Sequence, residues 1–268
     1  MYLEYWGLKE PPFENVPNPK FLYYSSKHEE AMTRLLYAAH SHKGASMLTG
    51  EVGSGKTILS RAFIQELPRA KFEVALITNP CLSPVELIRE IIYQLGIPQN
   101  DKADKVELLR ILNDQMLKNL QADKDTVLII DEAQAIEEDS TFEEIRLLLN
   151  FQLNDRFLLT LFLIGQPELK AKVERIPQLS QRISIKYHLT PLNYKETVQF
   201  IFFRLKTAGL QKSVFSEEAL KLIYEHSGGI PRNIVNLCDL CLLVGFSYKA
   251  PLVNSKLVAK VIEDSEGG

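Results

Sequence analysis

The octapeptide Gly50-Glu51-Val52-Gly53-Ser54-Gly55-Lys56-Thr57 sets three glycines and a lysine between the apolar run ASML and the stretch ILSRAFIQEL. Glycine weakens strand and helix alike, so this placement needs a reason beyond a flexible turn with a solvated lysine. The spacing G-x-x-x-x-G-K-[ST] gives one. In such a loop the backbone N–H groups and a helix N-terminus cradle phosphates, a lysine reaches the β- and γ-phosphates, and a hydroxyl coordinates Mg²⁺. Lys56 and Thr57 take those two parts, and Ile58 carries the phosphate-binding stretch into its helix.

A second piece lies about 75 residues downstream, in TVLIIDEAQAI. Its apolar residues drive a central strand to Asp131, whose carboxylate is expected at the strand's C-terminal edge to hold Mg²⁺. Glu132 follows, where a second carboxylate can polarise an attacking water as general base. Together the two pieces point to binding of a nucleoside triphosphate, and Glu132 points to its hydrolysis.

Further polar residues sit at strand ends. Asn79 closes ALITN, where its amide is placed to reach the base; a helix-entry turn before Pro80 explains it equally well. Gln166 closes LFLIGQ, where an amide can orient the nucleophilic water, against the plainer reading of a Gly-Gln-Pro turn. Arg182 in LSQRIS opens the last strand and Arg232 in GGIPRN opens a later helix. Either is a solvated arginine or a guanidinium aimed at phosphate charge.

These residues need a scaffold of alternating elements. After a proline- and aromatic-rich segment over 1–24, a helix opens at Ser26 with Glu29 and runs to about His42. Strands are expected at 45–49, 72–78, 126–130, 157–164 and 182–189. Helices fill the gaps, with starts at Ser83-Pro84 with Glu86 and at Ser140 with Glu143. Short apolar strands separated by helices make a parallel sheet covered on both faces. Beyond 190 strand patterns cease, and Asn193 with Glu196, Ser216 and Asn254 open successive helices. The division is an α/β nucleotide-binding domain over 1–190 and an all-helical domain over 191–268.

Composition narrows the remaining choices. The chain has 268 residues, 46% hydrophobic and 24% charged, as in a globular protein with a sizeable core. A net charge of −3 offers no bulk field for nucleic acid, so any DNA contact must come from a local basic surface on an assembly. No apolar run reaches the roughly 20 residues of a membrane span, and MYLEYWGLKE lacks a signal-peptide pattern. Of three cysteines, Cys238 and Cys241 fall in an apolar helical stretch and read as core residues rather than a metal or redox pair. A sparse, odd count suits a reducing, cytoplasmic setting.

Across residues 25–265 these features resemble the AAA+ ATPases. The resemblance implies a sheet ordered 5-1-4-3-2, a helical lid, and ATP held between subunits of a homo-oligomer, as a ring or filament. Gly50 to Thr57 then looks like the Walker A motif and Val127 to Glu132 like Walker B. Gln166 matches sensor 1, Arg232 sensor 2, Asn79 the glutamate switch and Arg182 the trans-acting arginine finger, with Arg175 a second candidate. The runs YWGLKEPPF, PNPKFLYYSSKHEEA, DEAQ, LIGQPEL and LSQRI are similar to the ExeA, or general secretion pathway A, type. Members of that type continue into a membrane segment and a peptidoglycan-binding region and work with protein partners. DEAQ modules also resemble transposition regulators of the MuB and TnsC kind, which polymerise on duplex DNA.

Overall fold

The computed structural model describes residues 2–98, 100, 102–210 and 212–266. In chain order the elements are α1 (Tyr2–Trp6), α2 (Ser26–His40), β1 (Ala45–Gly50), α3 (Lys56–Glu66), β2 (Phe72–Ile77), α4 (Pro84–Gln94), α5 (Lys105–Gln121) and β3 (Asp125–Ile130). There follow α6 (Asp139–Leu148), β4 (Leu159–Gly165), α7 (Glu168–Glu174), α8 (Pro177–Arg182) and β5 (Ile183–Leu189). Four helices complete the chain: α9 (Tyr194–Thr207), α10 (Glu217–Ser227), α11 (Pro231–Ser247) and α12 (Ser255–Glu266). They fall into two compact units, one of residues 29–50 and 60–189, the other of residues 1–28, 51–59 and 190–268.

The first unit holds the sheet, in the order β2-β3-β4-β1-β5, which is the expected 5-1-4-3-2 read from the other edge. Every named pairing is parallel. β1 and β4 are buried at every residue, and β3 at all but Asp125, which is why their sequences are apolar runs rather than alternating patterns. Ile130 pairs with Ile77 and Leu163, and Thr49 pairs with Gly165, so β1, β3 and β4 finish at one edge of the sheet. That C-terminal edge is where open parallel sheets bind ligands. Phe63 of α3 meets Phe162 of β4 edge to face at 4.9 Å, locking the helix after the glycine loop against the strand beside β1.

The second unit has its own core, built from α9 to α12 and the N-terminal segment. Residues 2–24, grouped above with the nucleotide-binding domain, pack instead on these helices. The Trp6 indole N–H donates to Leu242 O at 2.9 Å, and its ring lies where Gly245 has no side chain. Arg204 donates to Pro12 O at 2.6 Å and Glu14 O at 3.0 Å while lying over the Phe21 and Phe200 rings. Burial lowers its guanidinium pKa to about 10. Cys238 and Cys241 are fully buried among apolar neighbours, and burial pushes both thiols up, Cys241 to about 12.

Several element starts shift. The capping boxes Ser83–Glu86 and Asn193–Glu196 open α4 and α9 as expected. At α2 the cap is Ser25, whose hydroxyl accepts the His28 N–H, because the Ser26 hydroxyl is given to Glu196. At α6 no box forms: the cap position is Glu138, two residues before Ser140, and Glu143 is drawn to Arg146 instead. β4 begins at Leu159, since Phe157 is taken by a bridge to Gln152. Arg182 does not open β5 but is the last residue of α8.

Candidate nucleotide site

The glycine loop leaves β1 at Gly50 and passes through Glu51 and Val52, both exposed, before folding back on itself. Two of its glycines take backbone conformations that side chains resist: Gly53 at φ +81° and Gly55 at φ +100°. A Cβ on Gly53 would stand 2.6 Å from Arg232 Cβ, and the Gly53 carbonyl accepts the Arg232 N–H at 3.1 Å. The first turn of α11 is thus bonded to the loop. GGIPR makes this possible: Gly229 at φ +72° leaves no room for a Cβ, which would sit 1.9 Å from Leu192 O, and Pro231 starts the helix. The Arg232 side chain is exposed.

On its other side the loop is held by His28, a residue the sequence reading passed over. His28 Nε2 lies 3.2 Å from the Ser54 carbonyl, which can only accept, so Nε2 carries the proton. Its Nδ1 then accepts from the Ser25 hydroxyl at 2.7 Å. Burial holds the His28 pKa below its usual value, more than the Ser54 carbonyl and the Glu196 charge raise it. Ser54 is buried with its hydroxyl unpartnered, and Ile58 is half-buried in the first turn of α3. α3 begins at Lys56, so the N–H groups of its first turn face the loop end. The buried Lys56 ammonium donates to Glu51 O at 2.9 Å, and Thr57 follows half-buried. The loop has the bare backbone, helix N-terminus and cation that phosphate oxygens require.

The carboxylates lie in the sheet unit. Asp131 is buried directly after β3, its N–H given to Ile77 O at 2.8 Å and its Oδ1 accepting the Glu132 N–H at 2.9 Å. Glu132 adopts the left-handed conformation, φ 53° and ψ 34°, rare for a side chain longer than asparagine. Strain of this kind collects at functional sites. Its Oε2 accepts from Gln134 Nε2 at 2.6 Å and lies 3.5 Å from Gln166 Nε2. So Gln166 is brought to Glu132, and Gln134, for which the sequence offered no role, is closer still. Only its place in DEAQ, two residues after the carboxylate, could have marked it.

The remaining candidates do not join this cluster. β2 ends at Ile77, and Asn79 is exposed, with no hydrogen bond to Glu132 among the described residues. Arg182 donates to Leu149 O at 2.8 Å and Asn150 Oδ1 at 2.7 Å, closing the end of α6. Arg175, at the end of α7, is exposed.

Among the described residues no group of three or more His, Cys, Asp or Glu side chains forms a metal cage. Mg²⁺ arriving with nucleotide phosphates needs no cage, since phosphate and water oxygens supply most of its ligands. Thr57 offers a half-buried hydroxyl and Asp131 a buried carboxylate, each a hard oxygen donor of the kind such an ion accepts. No helix among the described residues is long and apolar enough to cross a membrane.

Known proteins resemble this chain in sequence and in fold. The chain is 40% identical over 249 residues to general secretion pathway protein A of Aeromonas hydrophila, a match covering 92% of this chain and 45% of that protein. The chain therefore spans less than half of that relative's length. Among solved structures it is similar to the Aeropyrum pernix ORC2 protein, with a TM-score of 0.66 at 20% identity over 94% of this chain and 69% of that one. It is also similar to Drosophila ORC bound to DNA, with a TM-score of 0.71 at 17% identity over 95% of this chain and 64% of that one. At such identities these two establish the fold alone. The family described as AAA domain matches residues 39–173, from the end of α2 through both motifs to α7, and this chain belongs to it.

Proposed function

We propose that this chain is a Mg-ATP-hydrolysing switch of the general secretion pathway A type, acting as a homo-oligomer in the cytoplasm. The observation that carries the reading is the common edge of the sheet: β1 ends there at Gly50, where the glycine loop begins, and β3 ends there two strands away, directly before Asp131 and Glu132. Gly50 to Ile58 would hold the phosphates, with Lys56 and Arg232 as cations, and Thr57 and Asp131 would hold Mg²⁺. The ion supplies charge neutralisation of the phosphate oxygens. Glu132 takes the proton of the attacking water, and Gln166 orients that water.

The arginine completing the site from a neighbouring subunit is Arg182 or Arg175. The bonds of Arg182 to Leu149 and Asn150 favour a capping part for it, and the exposure of Arg175 suits a finger. Asn79 is proposed as a switch that meets Glu132 in another nucleotide state. A finger acting in trans makes turnover per subunit rise with protein concentration. Mixing a finger variant, Arg175→Ala or Arg182→Ala, with Glu132→Gln restores part of the activity, because one junction then pairs an intact base with an intact arginine. Turnover that is flat with concentration and shows no rescue from either arginine sinks the oligomeric reading. One solved neighbour is bound to DNA. ATPase activity that rises with duplex DNA and falls steeply with salt would replace the secretion-type role with a DNA-dependent one.

A further inference from the structure

Gln134 occupies the joint between the end of β3 and the end of β4. The Gln166 N–H can only donate, and it lies 2.9 Å from the Gln134 side-chain oxygen, which fixes the orientation of that amide. The Gln134 NH₂ group must therefore face Glu132, whose Oε2 it reaches at 2.6 Å. The main chain around it is pinned as well. Lys172 of α7 donates to the Gln134 and Ile136 carbonyls, both at 2.7 Å. Gly165 leaves the room the amide needs, since a Cβ there would lie 2.6 Å from Gln134 Oε1. A glutamate in a left-handed turn has no helix or strand to fix its rotamer, so these bonds aim its carboxylate.

We infer that Gln134 is the positioning residue for the Glu132 carboxylate, tying it to the backbone of Gln166 at the end of β4. The inference rests on the proposal that Glu132 is the base. One carboxylate oxygen takes the amide bond, and the other is left to face the water. A base contributes about 10²–10⁴-fold only when its lone pair is aimed, so losing the amide lowers turnover without touching phosphate binding.

The test uses the whole chain and three variants of one side chain. Gln134→Glu keeps an oxygen for the Gln166 N–H but replaces the donor with a second carboxylate. Gln134→Met keeps the length and loses both bonds, and Gln134→Ala guards against a variant that fails to fold. Thermal melts come first, then kcat, KM and the affinity for a fluorescent ATP analogue, each measured beside Glu132→Gln. The expected result is a fall in kcat of about 10- to 100-fold for Gln134→Glu and Gln134→Met, with KM and analogue affinity within about two-fold of the wild type. On the Glu132→Gln background the same changes at Gln134 should lower residual turnover little further, because there is no base left to aim. Wild-type kcat in Gln134→Glu, with Glu132→Gln inactive, overturns the positioning role alone. A fall in kcat matched by a fall in analogue affinity makes Gln134 merely structural and also overturns it. Wild-type turnover in Glu132→Gln removes the base itself and the inference with it.

Discussion

The phosphate loop and the carboxylate turn are held by different means. The loop is fixed by backbone: glycines at positive φ, the Arg232 N–H on the Gly53 carbonyl, and a helix beginning at Lys56. The turn after β3 is fixed largely by side chains: Gln134 on Glu132, with Lys172 gripping the carbonyls around it. Backbone devices tolerate exchange of neighbouring side chains but not of a glycine. Side-chain devices fail one amide at a time. The first kind suits a pocket that must fit three phosphates the same way in every cycle. The second suits a group whose aim can change with what is bound beside it.

The sharpest way to break the loop is through its cation. Lys56→Ala should lower ATP affinity by at least about 100-fold, about 3 kcal/mol, since a charge-assisted contact to phosphate has no substitute among the backbone donors. Equilibrium titration with a fluorescent analogue reads this directly, and an affinity within threefold of the wild type would leave Lys56 as a loop-closing residue for Glu51.

A smaller effect should come from the glycine that sets the entry to α11. Gly229→Ala forces a Cβ against Leu192 O in a left-handed conformation, so destabilisation of about 2–3 kcal/mol is expected. Denaturant melts measure it, and nucleotide affinity should fall along with stability because α11 is bonded to the loop. A variant as stable as the wild type would mean that Leu192 yields.

The smallest predicted effect concerns His28. Its folded pKa is lowered from 6.5 chiefly by burial, so below about pH 6.5 the unfolded chain binds the extra proton more readily. Stability from this group therefore rises with pH through the window below 6.5, at up to about 1.4 kcal/mol per pH unit, and is level above it. Ser25, the Ser54 carbonyl and the Glu196 carboxylate are the groups that face it. Melts at pH 7.5 and 5 should show a smaller drop for His28→Gln than for the wild type, and equal drops would remove His28 as the source.

The same contrast explains what could be read from the chain. The phosphate loop was legible because backbone demands are written in residue type and spacing: three glycines, a lysine and a threonine cannot be rearranged and still cradle phosphate. The strand order followed from the resemblance and agrees with the structure. Gln134 was not legible, because an amide two residues past a carboxylate acquires meaning only when β4 brings the Gln166 N–H beside it. His28 was hidden in a helix start whose cap lies one residue earlier than the Ser26–Glu29 spacing suggests. Arg182 was read as opening a strand, yet α8 continues through it and turns its guanidinium onto the end of α6. The N-terminal prolines and aromatics announced packing but not against what; that was decided by Gly245 and Arg204, 190 or more residues away.

In the proposed function the loop binds nucleotide while Glu132 turns it over. Phosphate release and analogue affinity, measured together on wild type and Glu132→Gln with Mg²⁺ present, test it most directly. Affinity within about threefold of the wild type and turnover lower by about 10²–10⁴-fold are expected in the variant. Turnover at the wild-type rate in Glu132→Gln, or a wild-type protein that binds the analogue and releases no phosphate, would contradict it.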